Sequence, residues 1–282
     1  MKICKLIFST NRLEYLIPTL ESTEKYVDWG DHEVDGLFID DMPTDRNDEE
    51  ISNLAAKHGY TEIVLHKKNQ GISAAWKASY ELIKDKGYDF IWYQEDDIII
   101  NQHVRINDII KYLDNNDSCY QVHLSRQSDW YYSDEKELHK RGGKQLMEWE
   151  NFKTIPHISN TFSASFSLTK GNHFTKALSM WLNGDMPDTI GNGTYIFAEG
   201  YIYEVFTYYS EVINNNDKPW GITFYDKDSN KITEHIGEWS WGRRVPLEYL
   251  ENDNSGEWFR EQLKQQINNP TQKINSRTWE KL

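Results

Sequence analysis

Over its first third the chain alternates between short apolar runs and amphipathic stretches, and most of the runs stop at a polar or acidic cluster. Lys2 to Phe8 is apolar and β-branched and ends at Ser9-Thr10-Asn11. From about Arg12 to Tyr26, Leu13, Leu16, Ile17 and Leu20 fall at helical spacing. Gly36 to Ile39 is a second strand run and stops at Asp40-Asp41; Ile51, Leu54 and Ala55 then mark a second helix. Thr61 to His66 is a third strand, a helix is expected from about Ile72 to Lys86 with Gly87 closing it, and Asp89 to Tyr93 leads into Glu95-Asp96-Asp97. Strands and helices in alternation imply an α/β fold, a mainly parallel sheet with helices on both faces. In such sheets ligands lie beyond the carboxyl ends of the strands. Three of the four strand ends here carry polar or acidic clusters, so that edge is the expected site.

The second half is less regular. Cys119 to Leu124 and Thr161 to Leu168 look like strands, Asn172 to Leu182 and Tyr195 to Val212 like helices, and Asn183 to Gly193 like a loop. No repeat or clean linker divides the chain, which is expected to be a single domain over 1–282. Residues 1–115 would form the ligand-binding half and 116–282 an irregular, aromatic-rich half with a C-terminal tail.

Composition narrows the classes. Eleven Trp, seventeen Tyr and eleven Phe in 282 residues supply a sizeable core, which argues against wholesale disorder. A net charge of −14 works against a default polyanion binder. Cys4 and Cys119 are the only cysteines, too few for a disulfide framework and in keeping with a cytoplasmic setting. No apolar run approaches the length of a membrane span, and the N-terminal run is too short for a signal peptide. The chain lacks G-x-G-x-x-G, a P-loop, G-x-S-x-G and H-E-x-x-H. A bound nucleotide's phosphates would therefore need neutralising by something other than a glycine-rich cradle, and a divalent cation is the simplest candidate.

Residues i and i+2 of an extended segment point the same way, so Glu95 and Asp97 can face a single ion while Asp96 points elsewhere. Their hard oxygens suit Mg²⁺ or Mn²⁺, although a solvated acidic turn would read the same way. Glu-Asp-Asp after an apolar strand, the upstream Lys68-Asn69-Gln70-Gly71 with Ala74-Ala75, and the earlier Asp-Asp pair together resemble nucleotide-sugar-dependent glycosyltransferases of the GT-A fold, family 2 in particular. The resemblance implies that Glu95-x-Asp97 is the acidic "DxD" motif, with Asp97 the direct metal ligand and Glu95 and Asp96 beside the nucleotide sugar. It implies that Asp40 or Asp41, in the segment Phe38 to Asp45, holds the nucleoside. The reading without a ligand makes that pair a cap for the helix near Asn47. Thr10, Asn11 and Arg12 match the region contacting the nucleoside and diphosphate, and Asn69 and Gly71 match a turn that lets backbone approach the donor, a UDP-sugar by expectation.

Weaker matches extend the resemblance. Glu199, at the start of an aromatic helix, looks like the base of inverting enzymes, with Glu204 one turn on as the alternative. His235, in Glu234-His235-Ile236-Gly237, is similar to a late histidine that completes the metal shell, and Arg243 and Arg244 could hold the leaving group. Trp130, Tyr131 and Trp241 offer flat faces for an acceptor, though core packing accounts for most such residues. The acceptor expected from the family is a saccharide or glycolipid. The composition also resembles proteins of virulent phages, which makes hydroxymethylated DNA the second acceptor class. Rival readings are a nucleotidyltransferase, for which no phosphate loop is visible, and a non-catalytic sugar-binding module.

Overall fold

The computed structural model describes residues 1–41, 46–67, 72–115, 119–124, 147–149, 152–157, 166–183, 205–206, 209, 220–226 and 232–236. Strand β1 (Lys2–Ser9) leads into helix α1 (Leu13–Tyr26), the short strand β2 (Val27–Asp28) and β3 (Glu33–Asp40). Helix α2 (Asp48–Lys57), β4 (Glu62–Leu65), α3 (Ile72–Ile83) and β5 (Phe90–Glu95) complete the alternating part. Then follow β6 (Ile98–Ile100), β7 (Val104–Arg105), α4 (Ile106–Asp114), β8 (Cys119–Leu124), β9 (Met147–Trp149), β10 (Phe152–His157) and β11 (Phe166–Lys170). Helix α5 (Gly171–Leu182), β12 (Trp220–Asp226) and β13 (Thr233–His235) close the series.

Nine strands form one sheet in the order β4-β3-β1-β5-β11-β8-β12-β10-β9. From β4 to β5 every pairing is parallel, as the alternation predicts. β11 runs antiparallel to both β5 and β8, and β12 is again parallel to β8. The chain builds outward from β1 through β3 to β4, then crosses back to place β5 on the other side of β1. The carboxyl ends of β1 and β5 therefore flank the point where the winding reverses, where the two crossovers leave in opposite directions and open a crevice.

Helices cover both faces. On one, Trp76 of α3 is fully buried against Phe8, Tyr93 and Phe174, its ring centroid 4.8 Å from Tyr93 and 5.7 Å from Phe174. On the other, Trp92 packs edge-on against Phe166 at 4.6 Å, within a cluster that takes Ile106, Ile109, Ile110 and Leu113 from α4. Leu16 and Leu20 of α1 join Phe38, Ile51, Ala55 and Tyr60 in a third cluster. Gly36 permits a close approach here, since a Cβ there would lie 2.2 Å from the Gly59 carbonyl oxygen. Helix α3 ends at Ile83, three residues before the expected limit, and Gly87 takes the left-handed conformation (φ 64°) in the turn that follows. Among the described residues no helix is long and apolar enough to cross a membrane.

Candidate donor site at the switch of the sheet

Strand register already aligns the polar clusters. Ser9 pairs with Asp40, Phe8 with Glu95, and the Asp41 N–H donates to the Ser9 carbonyl at 3.1 Å. Between β1 and α1 the backbone then turns inward. Asn11 adopts φ 56°, a left-handed conformation that asparagine tolerates better than most residues. In that turn the Asn11 N–H donates to Asp40 Oδ2 at 2.7 Å, while the Thr10 N–H donates to Asp96 Oδ2 at 2.9 Å. One three-residue turn thus ties the ends of β3 and β5 to the end of β1.

Arg12, the residue preceding α1, completes this link. Its guanidinium donates to Asp96 Oδ1 and lies 2.9 Å from Asp97 Oδ2, with its side chain 13% exposed. Burial opposes the Arg12 charge, and the two carboxylates more than offset it, so its pKa is raised. Asp96 is 2% exposed, and burial pushes its pKa up against the pull of Arg12. The expected alternation, with Glu95 and Asp97 on one face and Asp96 turned away, does not hold. The strand ends at Glu95, Asp96 and Asp97 form a turn, and both reach Arg12.

That turn has an internal brace. Gln94 is fully buried, and its amide donates to the Ile98 carbonyl at 2.8 Å while its Oε1 accepts from Thr23 Oγ1 at 3.0 Å and Trp92 Nε1 at 3.2 Å. Thr19 of α1 donates its hydroxyl to the Asp96 carbonyl at 2.9 Å. The sequence reading named none of Gln94, Thr19 or Thr23. The only signal available was a polar residue interrupting an apolar strand, and hydroxyls at i and i+4 on the buried side of a helix.

The Asp40–Asp41 pair divides its labour. Asp40 is 0% exposed; Arg46 Nη1 donates to its Oδ1 at 2.7 Å, and Asn11 N–H already holds its other oxygen. Arg46, its side chain 1% exposed, also donates to the His66 carbonyl at 3.0 Å and to Asp48 Oδ1 at 2.7 Å. Asp41 Oδ1 lies 2.6 Å from His66 Nδ1. Helix α2 is capped instead by Asn47, whose side chain accepts from the Glu50 N–H at 3.3 Å, so neither aspartate serves as that cap.

On the other side, β13 pairs antiparallel with β6. His235 stands opposite Ile98, and the Ile236 N–H donates to the Asp97 carbonyl at 2.9 Å. The backbone of the late histidine segment is therefore laid directly beside the acidic turn, across well over a hundred residues of chain. Among the described residues no group of three His, Cys, Asp or Glu side chains gathers as a metal site. The carboxylate oxygens of Glu95 and Asp97 are nonetheless the donor type that Mg²⁺ and Mn²⁺ prefer, and the fit on that ground is good. Asn69, Gly71, Trp130, Tyr131, Glu199, Glu204, Trp241, Arg243 and Arg244 lie outside the described residues, as does the side chain of His235.

Comparison with known proteins adds the following. The family model for glycosyl transferase family 2 matches residues 6–176. No curated protein matches the chain significantly. Among solved structures, S. aureus TarS 1-349 is similar at 18% identity and a TM-score of 0.45, over 74% of this chain and 56% of that one. The same protein in complex with UDP has 18% identity and a TM-score of 0.45, over 80% and 61%. The mannosyltransferase PcManGT from Pyrobaculum calidifontis, in complex with GDP-Man and Mn2+, has 12% identity and a TM-score of 0.45, over 71% and 49%. The chain thus spans roughly half to three fifths of the length of these proteins.

Proposed function

Because this chain belongs to glycosyl transferase family 2, we propose that it moves a sugar from a nucleoside-diphosphate sugar, a UDP-sugar by preference, to a hydroxyl of a saccharide or glycolipid acceptor. One observation carries the reading: the ends of β1, β3 and β5 converge at the winding reversal of the sheet and are hydrogen-bonded there by the Thr10–Arg12 turn.

In this reading Asp41, steadied by His66, holds the nucleoside, since Asp40 is committed to Arg46 and to the Asn11 N–H. Thr10, Asn11 and Arg12 line the path toward the diphosphate, and Asn69 and Gly71 let the backbone approach the donor. Asp96 acts through its grip on Thr10 and Arg12. Asp97, Glu95 and His235 would hold a Mn²⁺ or Mg²⁺ ion, which when bound supplies Lewis-acid neutralisation of the departing diphosphate. Glu199, with Glu204 as the alternative, takes the proton of the acceptor hydroxyl as its oxygen bonds to the anomeric carbon. The bond from that carbon to the diphosphate oxygen breaks in the same displacement, so the configuration inverts. Arg243 and Arg244 stabilise the negative charge left on the nucleotide, and Trp130, Tyr131 and Trp241 stack on the acceptor.

Calorimetric titration with UDP in the presence and absence of Mn²⁺, followed by incubation with a panel of nucleotide sugars and oligosaccharides, tests the proposal. Cation-linked uptake and transfer with release of nucleotide are expected. No cation-linked uptake of any nucleoside diphosphate would refute it, and transfer confined to hydroxymethylated DNA would replace the acceptor.

A further inference from the structure

Arg12 sits on the same carboxylate that the proposed cation needs. Its guanidinium spans Asp96 Oδ1 and Asp97 Oδ2, the latter at 2.9 Å. The two aspartates differ in how they are held. Asp96 is enclosed by the turn it belongs with, accepting from the Thr10 N–H at 2.9 Å, the Thr10 hydroxyl at 3.5 Å and Arg12 Nε at 3.4 Å. The Asp97 contact of Arg12 is a single ion pair from Nη2, the nitrogen that also donates to Asp96 Oδ1. Because Nη2 has two N–H groups and Nε also reaches Asp96, the guanidinium can give up Asp97 and keep Asp96.

We propose that Arg12 is a positioning residue coupling cation to nucleotide: it holds Asp97 through one N–H of Nη2, yields it to the cation only when a diphosphate arrives to take that N–H, and stays tethered throughout by its other bonds to Asp96, from Nη2 and Nε. The inference rests on the reading that Asp97 binds the cation. Its physical basis is charge. A dication at Asp97 shares the carboxylate with a guanidinium a few ångströms away, and in a partly buried site that repulsion is only weakly screened. A diphosphate brings the negative charge that relieves it. Cation and nucleotide must then each raise the other's affinity by the same factor, because coupling is reciprocal. The bare cation binds weakly, and the donor site acquires its cation together with its nucleotide.

The test measures Mn²⁺ binding by electron paramagnetic resonance of the free ion, with and without UDP, in the full chain. Arg12→Met removes the competitor. The double variant Arg12→Met with Asp96→Asn removes both members of the buried pair, so that no uncompensated charge threatens the fold. It also preserves the net charge of the site, so a gain there reports release of Asp97 rather than added negative charge. Expected is a rise of roughly 10-fold in affinity for Mn²⁺ alone in both variants, with the enhancement by UDP largely lost. A variant carrying a merely structural defect would bind Mn²⁺ no better than wild type. Unchanged or weakened binding of Mn²⁺ alone in the double variant, or an undiminished enhancement by UDP, overturns the coupling while leaving the cation site standing. No Mn²⁺ uptake by the wild type under either condition overturns both.

Discussion

Replacing Arg46 by Met removes the positive group paired with the buried Asp40. The side chains are 1% and 0% exposed, and the 2.7 Å bond joins them where the ends of β3 and β4 meet. Arg46 also supplies a donor to the part-buried His66 carbonyl at 3.0 Å, so the substitution costs two acceptors a partner. Breaking a buried ion pair from one side costs about 3–5 kcal/mol, most of it the uncompensated charge left behind. Asp40 retains the Asn11 N–H, which places the expected loss at the lower end, about 3 kcal/mol. Urea unfolding followed by circular dichroism reads this directly as a lower midpoint at constant slope. Adding Asp40→Asn should recover a large part of the loss, because a neutral amide in that position no longer needs the guanidinium. A useful control is Lys67→Ala, whose 3.1 Å pair with Asp48 has an 84% exposed lysine and should leave the transition where it was. A loss under about 1 kcal/mol in Arg46→Met, or no recovery in the double variant, would show that Arg46 does not secure Asp40 and that the division of roles between Asp40 and Asp41 is mistaken.

Three further outcomes follow from particular side chains. Asp97→Asn should abolish Mn²⁺-dependent nucleotide binding in calorimetry while leaving the melting transition of the apo protein in place, since Arg12 keeps Asp96 as its partner; retained cation-linked binding would remove Asp97 from the metal site. Glu199→Gln should stop transfer by several orders of magnitude, roughly 10²–10⁴-fold, with UDP affinity intact, and full turnover would pass the role to Glu204. His173, stacked on Tyr120 at 5.5 Å, has its pKa lowered to about 4, by burial first and then by Lys170 and Lys176. The folded state therefore binds this proton less readily than the unfolded chain, and the stability due to neutral His173 is fully present above pH 6.5 and lost as pH falls toward 4. His173→Phe keeps the stack and should flatten the stability profile in that window, and an unaltered acid slope there would contradict the assignment.

The parallel arrangement from β4 to β5 was legible in the residues themselves, because strand and helix periodicities are local properties and the acidic stops mark the strand ends. So was the choice of candidate chemistry, since Glu95-Asp96-Asp97 and Asp40-Asp41 carry their charge wherever the chain goes. What no local pattern could supply is who meets whom. The order β4-β3-β1-β5 is a long-range outcome, and it alone brings Thr10 to Asp96 and Asn11 to Asp40. Burial of Gln94, Thr19 and Thr23 around the acidic turn reversed their usual surface reading, because in the interior a polar group persists only where distant partners satisfy it. The same holds for Arg12 and Arg46, whose side chains, of a type usually solvated, here neutralise buried carboxylates. The pairing of β13 with β6, which lays the His235 segment beside Asp97, spans a sequence separation that only packing can close.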